Sequence, residues 1–110
     1  MNLEIDQFIG SFPGYIFVHL RDFQDATTSE LESFLQNFET KYFNYIRYIR
    51  LSGSGHKEWM EKFQVFGFPA LLVFYQGKLN LKLLGQVKLH ILKELLWERV
   101  FTDSRFNFEL

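Results

Sequence analysis

Three consecutive hydroxyl residues, Thr27, Thr28 and Ser29, are the first candidates for chemistry in this sequence. A hydroxyl becomes a nucleophile when a base lies within reach, and hydroxyls at a helix N-terminus can also help to bind an anion. The same residues fit helix capping, because Glu30 follows Thr27 by three positions and Glu32 follows Ser29 by three. Acidic residues crowd this point and would repel an anion. We therefore favour capping, which explains the residue types by itself.

His19 is the one base that could activate such a hydroxyl, and it interrupts the apolar run from Tyr15 to Leu20. A histidine inside a core strand is usually neutral and hydrogen-bonded, so we expect a structural role for it. The alternative is an enzyme in which Thr28 or Ser29 is the nucleophile and His19 is the base.

Composition removes several other kinds of site. None of the 110 residues is cysteine, which excludes disulfides, thiolate catalysis and zinc–thiolate centres, and we expect neither a metal nor a cofactor. The formal net charge of −1 gives no electrostatic signature of nucleic-acid or membrane binding. The loop Ser52-Gly53-Ser54-Gly55 lacks the spacing of a phosphate-binding loop. Neither an export signal nor an apolar run of about 20 residues is visible, so we expect a cytoplasmic protein.

The region from Val65 to Gly85 organises the predicted fold. The run Ala70 to Tyr75 is short and entirely apolar, which is typical of a strand buried on both faces. Pro69 fits the entrance of that strand, because it cannot donate a hydrogen bond within a sheet. Gln76-Gly77 predicts a tight hairpin turn. The alternation that follows predicts a second strand, from Lys78 to Leu83, with one apolar face made of Leu79, Leu81 and Leu83.

Apolar spacing elsewhere predicts helices over residues 3–12, 29–42, 56–63 and 87–101, and strands over 15–20 and 45–51. This order predicts an α/β fold with a mixed sheet of about four strands and helices on both faces. We treat residues 1–110 as one domain with a core of about 15–101. The tail, 102–110, is predicted to be ordered, because Phe106, Phe108 and Leu110 alternate with polar residues and favour docking.

The combined spacing of Gly67-Phe68-Pro69, Gln76-Gly77-Lys78 and Gly85 resembles that of the thioredoxin family. The resemblance runs from Val18 to about Leu96. In that family a Gly-Ile-Pro turn with a cis proline precedes a central strand. The resemblance therefore implies a thioredoxin-like fold and a cis Phe68–Pro69 bond.

The departures from the family pattern lie where its chemistry is carried. Thioredoxins have Cys-Gly-Pro-Cys at positions that are here Asp25, Ala26, Thr27 and Thr28. Arg21 and Gln24 replace the two usual tryptophans, and His19 replaces a buried aspartate. Disulfide exchange needs a thiolate, so the resemblance implies a redox-inactive relative.

The resemblance also implies a binding role. In the family, the cis-proline loop and the loop before the last helix form an apolar groove for an extended peptide. The matching residues here are Phe66, Gly67, Phe68, Pro69, Leu84 and Gly85, flanked by Phe23 and the loop from Asp25 to Thr28. We expect the partner to be another protein or an extended peptide. Phe68 and Leu84 could instead belong to the core.

Two alternatives stay open beside the binding module. One is the hydroxyl enzyme described above, by analogy with glutathione transferases, which use Ser or Tyr on this fold. The other is a structural subunit or a homodimer, in which the aromatic tail pairs with the sheet edge of a partner.

Overall fold

The computed structural model describes residues 3–21, 29–106 and 108. The strands are β1 (Tyr15–Arg21), β2 (Ile46–Ser52), β3 (Ala70–Tyr75) and β4 (Lys78–Leu84). The helices are α1 (Leu3–Ser11), α2 (Ser29–Lys41), α3 (Lys57–Lys62) and α4 (Leu89–Leu96). A 3-10 turn, Gly53–Gly55, follows β2, and a π-helical segment, Trp97–Phe101, follows α4. Among the described residues, no helix has both the length and the apolar character needed to cross a bilayer.

The four strands form one mixed sheet in the order β2-β1-β3-β4. Strands β1 and β2 are parallel, with Tyr15 opposite Ile46, and α2 lies between them in the chain. A parallel pair needs such a crossover, whereas β3 and β4 are antiparallel and need only a tight turn. The predicted α/β fold with a mixed four-stranded sheet is confirmed.

Each face of the sheet has its own core. The first core joins the sheet to α1 and α3 and includes Ile16, Val18, Trp59 and Leu72. The second core joins it to α2, α4 and the C-terminal residues and includes Phe17, Leu35, Val73 and Leu92. Strands β1 and β3 contribute alternate residues to both cores, which is why their sequences are apolar apart from His19 and Arg21 in β1.

The β3–β4 hairpin differs from its prediction at one residue. Gln76 and Gly77 both have positive φ, 50° and 82°, as a two-residue hairpin turn requires. The pairing then shifts, because Phe74 lies opposite Leu79 whereas Val73 lies opposite Leu81, which leaves Asn80 as an extra residue. Directly opposed residues share a face, so Leu79 lies on the first-core face. The prediction that it shares a face with Leu81 and Leu83 is therefore wrong.

The last helix is shorter than predicted. Val87 lies outside it, Lys88 precedes it in extended backbone, and α4 ends at Leu96, where the π-helical segment begins. Leu92, Leu96 and Val100 are fully buried, at the four-residue spacing of a single helix face.

The C-terminal residues are held on the second core. Phe106 and Phe108 pack against it, with the Phe106 ring 5.9 Å from that of Tyr15. The Tyr15 hydroxyl donates a hydrogen bond of 2.8 Å to Asp103 Oδ2, and the Arg105 guanidinium donates to both carboxylate oxygens of Asp103. The aromatic tail therefore docks on its own domain through these two rings. Leu110 lies outside the described residues.

Candidate functional site

A corner of backbone lies at the end of the sheet where β3 begins and β4 ends. The Phe68–Pro69 peptide bond is cis, which is the isomer that the resemblance implies. The Pro69 carbonyl accepts a hydrogen bond of 2.8 Å from the Gly85 amide, so the entrance of β3 is joined to the exit of β4. Gly85 has a φ of 84°, a conformation that strongly favours glycine.

Three large apolar side chains, Phe66, Phe68 and Leu84, are exposed around this corner, and we call them the corner patch. Phe66 is 80% exposed, Leu84 56% and Phe68 39%. None of them belongs to either core. Leu84 lies opposite Ala70, a first-core residue, so the leucine is on the α3 side of the sheet.

Phe68 is held in place by a glycine. Gly53 is buried, and a Cβ added there would overlap the Phe68 ring. The ring therefore packs on the Gly53 backbone, immediately after β2. The sequence pattern around Gly53 does not predict this role. Gly53 precedes a short helix, and Phe68 lies next to a proline elsewhere in the chain. Nothing in either position predicts that the two residues are in contact.

A cavity of about 680 Å³ lies on the other side of the corner, and we call it the corner cavity. Pro69 and Gly85 line it together with Leu31 and Leu71, which places it on the second-core face between α2 and α4. Its volume is within the usual range for ligand pockets. The corner patch and the corner cavity thus flank the same backbone bridge.

His19 lies in the wall of this cavity and is fully buried. Its Nδ1 is 2.9 Å from the hydroxyl oxygen of Tyr48, close enough for a hydrogen bond. Burial raises the pKa of Tyr48 to about 12, so the phenol keeps its proton at neutral pH. The expected hydrogen-bonded role of His19 is consistent with this contact. Tyr48 was not singled out, because an alternating edge strand does not reveal which aromatic residue reaches across to its neighbour.

An ion-pair cluster lies at the carboxyl ends of β1 and β2. The Glu32 carboxylate pairs with Arg21, and Arg50 Nη1 is 3.6 Å from its second oxygen. Arg21 occupies one of the two positions where the family usually has tryptophan. Here its guanidinium binds a carboxylate on the first turn of α2 instead of offering an apolar surface.

Several predicted site residues lie outside the described part of the chain. These are Phe23, Asp25, Ala26, Thr27 and Thr28, together with the side chain of Ser29. Among the described residues, no group of three or more His, Asp or Glu side chains could hold a metal ion.

Comparison with known proteins identifies the fold. Neither a protein-family model nor a curated protein matches this chain. Among solved structures, it is similar to a thioredoxin from Plasmodium falciparum with a TM-score of 0.71 and 20% identity, over 86% of this chain and 90% of that one. The solution structure of oxidised Plasmodium falciparum thioredoxin gives a TM-score of 0.73 and 19% identity, with 89% and 91% covered.

A cysteine-to-serine mutant of Entamoeba histolytica thioredoxin gives a TM-score of 0.70 with 12% identity, over 86% of this chain and 90% of that one. Agreement at this level of identity establishes the thioredoxin fold. The chain is therefore thioredoxin-like in fold, and it has no cysteine.

Proposed function

We propose that this chain is a redox-inactive protein of thioredoxin fold that binds another protein, through an extended segment, at the corner patch. The chain has no thiol, so it cannot form the mixed disulfide on which thioredoxin chemistry depends. A surface that binds an extended segment needs no sulfur. The backbone corner next to such a surface is present in this chain, with its cis Phe68–Pro69 bond and the hydrogen bond from the Gly85 amide to the Pro69 carbonyl.

The observation that carries the proposal is the exposure of Phe66. A phenylalanine that is 80% exposed, next to a corner that also exposes Phe68 and Leu84, gives the corner a set of apolar side chains that belong to neither core. Contiguous exposed apolar side chains on a folded domain mark interaction sites more often than they mark ordinary surface. Removing such side chains from water favours binding by about 25 cal/mol per Å² of apolar area.

The partner chemistry that fits is an extended segment with apolar side chains. The corner patch is a set of separate side chains around one backbone bridge, a small target compared with the groove that a helix needs. An extended segment presents alternate side chains to such a surface, at about 6–7 Å for every second residue.

The test is a screen of ten-residue synthetic peptides followed by mapping of the contact. We expect peptides with two or more large apolar residues to bind. In amide NMR spectra, the shifts should change most at residues 66–68 and 84–86. The amides of Gln76 and Gly77, at the opposite end of the hairpin, serve as the internal control. Shift changes centred on the hairpin turn, or no binding by any peptide, would overturn the proposal.

A further inference from the structure

The corner cavity has a positively charged wall. Lys88 and Lys93 line it from the α4 side and His90 lies between them, while Glu30 lines it from α2. Of these side chains, two are ammonium groups and one is a carboxylate, on a chain whose formal net charge is −1. The cavity is thus locally more positive than the molecule as a whole.

These ammonium groups are not neutralised by the fold. Within residues 3–21, 29–106 and 108, neither Lys88 nor Lys93 makes an ion pair. The Lys93 Nζ lies 5.3 Å from the centroid of the Phe34 ring, so its ammonium group reaches from α4 to α2. A cation over an aromatic face remains able to attract an anion. Lys88 and Lys93 therefore contribute two unpaired positive charges to a cavity whose lining also includes one carboxylate, Glu30.

The cavity and the corner patch adjoin the same backbone bridge. Pro69 and Gly85 line the cavity, and Phe68 and Leu84 of the patch are their neighbours in sequence. An extended chain advances about 3.3 Å per residue, so three or four residues span about 10–13 Å. A segment that places apolar side chains on the patch can place its next residues at the cavity wall.

We propose that the bound segment is acidic next to its apolar residues, and that its carboxylates lie in the corner cavity against Lys88 and Lys93. The inference rests on the proposed function, since it names the class of segment that the same corner takes. Complementary charge selects among apolar segments and speeds their association. A segment with basic residues at those positions is disfavoured by like-charge repulsion.

The experiment uses paired peptides in the same screen, identical in their apolar residues and carrying either Glu or Lys at the neighbouring positions. At about 0.1 M salt we expect the Glu peptides to bind about five- to twentyfold more tightly, and this preference should shrink at about 1 M salt, where the Debye length is about 3 Å. Lys88→Glu combined with Lys93→Glu should abolish or reverse the preference. Lys78→Glu, an equally exposed lysine at the opposite end of β4, should leave it unchanged.

The outcomes separate the two proposals. If apolar peptides bind at the corner with no preference between Glu and Lys, the charge inference is wrong and the proposed function stands. If no peptide binds, both are wrong. If the double variant folds but keeps the Glu preference, the carboxylates do not lie at this wall and the inference is overturned. Self-association of the free protein that the double variant disperses would identify a second copy as the occupant and would also overturn it.

Discussion

On the second-core face of the sheet, His19 and Tyr48 form a polar contact beside the corner cavity. The imidazole is fully buried, and the phenol of Tyr48 is 2.9 Å from its Nδ1. The desolvation that raises the pKa of Tyr48 to about 12 keeps the phenol neutral at ordinary pH. Their contact ties β1 to the edge strand β2 by side chains as well as by the backbone.

Tyr48→Phe is therefore predicted to lower the free energy of unfolding by about 1–3 kcal/mol, because it removes one partner of a buried hydrogen bond and leaves the ring volume unchanged. Chemical denaturation with matched m-values measures the change. Tyr45→Phe is the control, since it deletes a hydroxyl from another aromatic residue and should cost within about 0.5 kcal/mol. Equal effects from the two variants would contradict a specific role for the His19 contact.

The C-terminal segment is the element whose stability should respond to pH. Hydrogen bonds from Arg105 lower the pKa of Asp103 to about 2, with the Tyr15 hydroxyl adding to the effect. The folded-state pKa is below the unfolded value of about 3.9, so the unfolded state binds the proton more readily. The stabilisation is present above about pH 4 and is lost as the pH falls from about 4 towards 2.

Asp103→Asn should remove this acid-dependent component. The wild-type melting temperature is expected to fall between about pH 4 and 2, and the variant should start lower and fall less over the same interval. Glu98→Gln, which neutralises an exposed acid in the preceding segment, is the control. Parallel curves for wild type and Asp103→Asn would show that this carboxylate does not couple the tail to the sheet.

Sequence reasoning located elements well where burial sets the residue types. Strands β1 and β3 are largely apolar on both faces because both faces are covered, and the run from Ala70 to Tyr75 matches the predicted strand residue for residue.

Sequence reasoning failed where backbone geometry departs from the ideal period. The extra residue Asn80 in β4 turns Leu79 to the other face, and no alternation pattern reveals an insertion of one residue. The apolar spacing also predicts that the last helix begins at Val87, because a residue that precedes the helix and packs on the same core fits the same pattern.

The candidate site could be predicted only as a set of backbone positions. The glycine and proline residues at the corner identify it, because their backbone conformations depend on residue type. The exposure of Phe66 and Leu84 could not be predicted, because apolar residues next to a buried strand fit the core equally well. The positive charges of the cavity wall come from Lys88 and Lys93, which follow the corner in sequence. Only folding brings these two lysines to the cavity.

At the scale of the molecule, this chain has the thioredoxin fold but no thiol for thioredoxin chemistry. The structure matches thioredoxins with TM-scores of 0.70–0.73, although the thiol that those proteins use does not occur in this chain. The corner at Pro69 and Gly85 is a property of the fold, and the exposed side chains around it are a property of this sequence. We propose that the binding function belongs to these exposed side chains.

The most direct test of that account compares Phe66→Asp with Phe43→Asp. Both residues are large, apolar and more than half exposed, but Phe43 follows α2 at the other end of the sheet. Neither variant should change the free energy of unfolding by more than about 0.5–1 kcal/mol, because surface substitutions rarely do. Titration calorimetry with a peptide that binds the wild-type protein should then give at least about tenfold weaker binding for Phe66→Asp and unchanged binding for Phe43→Asp. A folded Phe66→Asp protein that binds the peptide as tightly as the wild type would contradict the account.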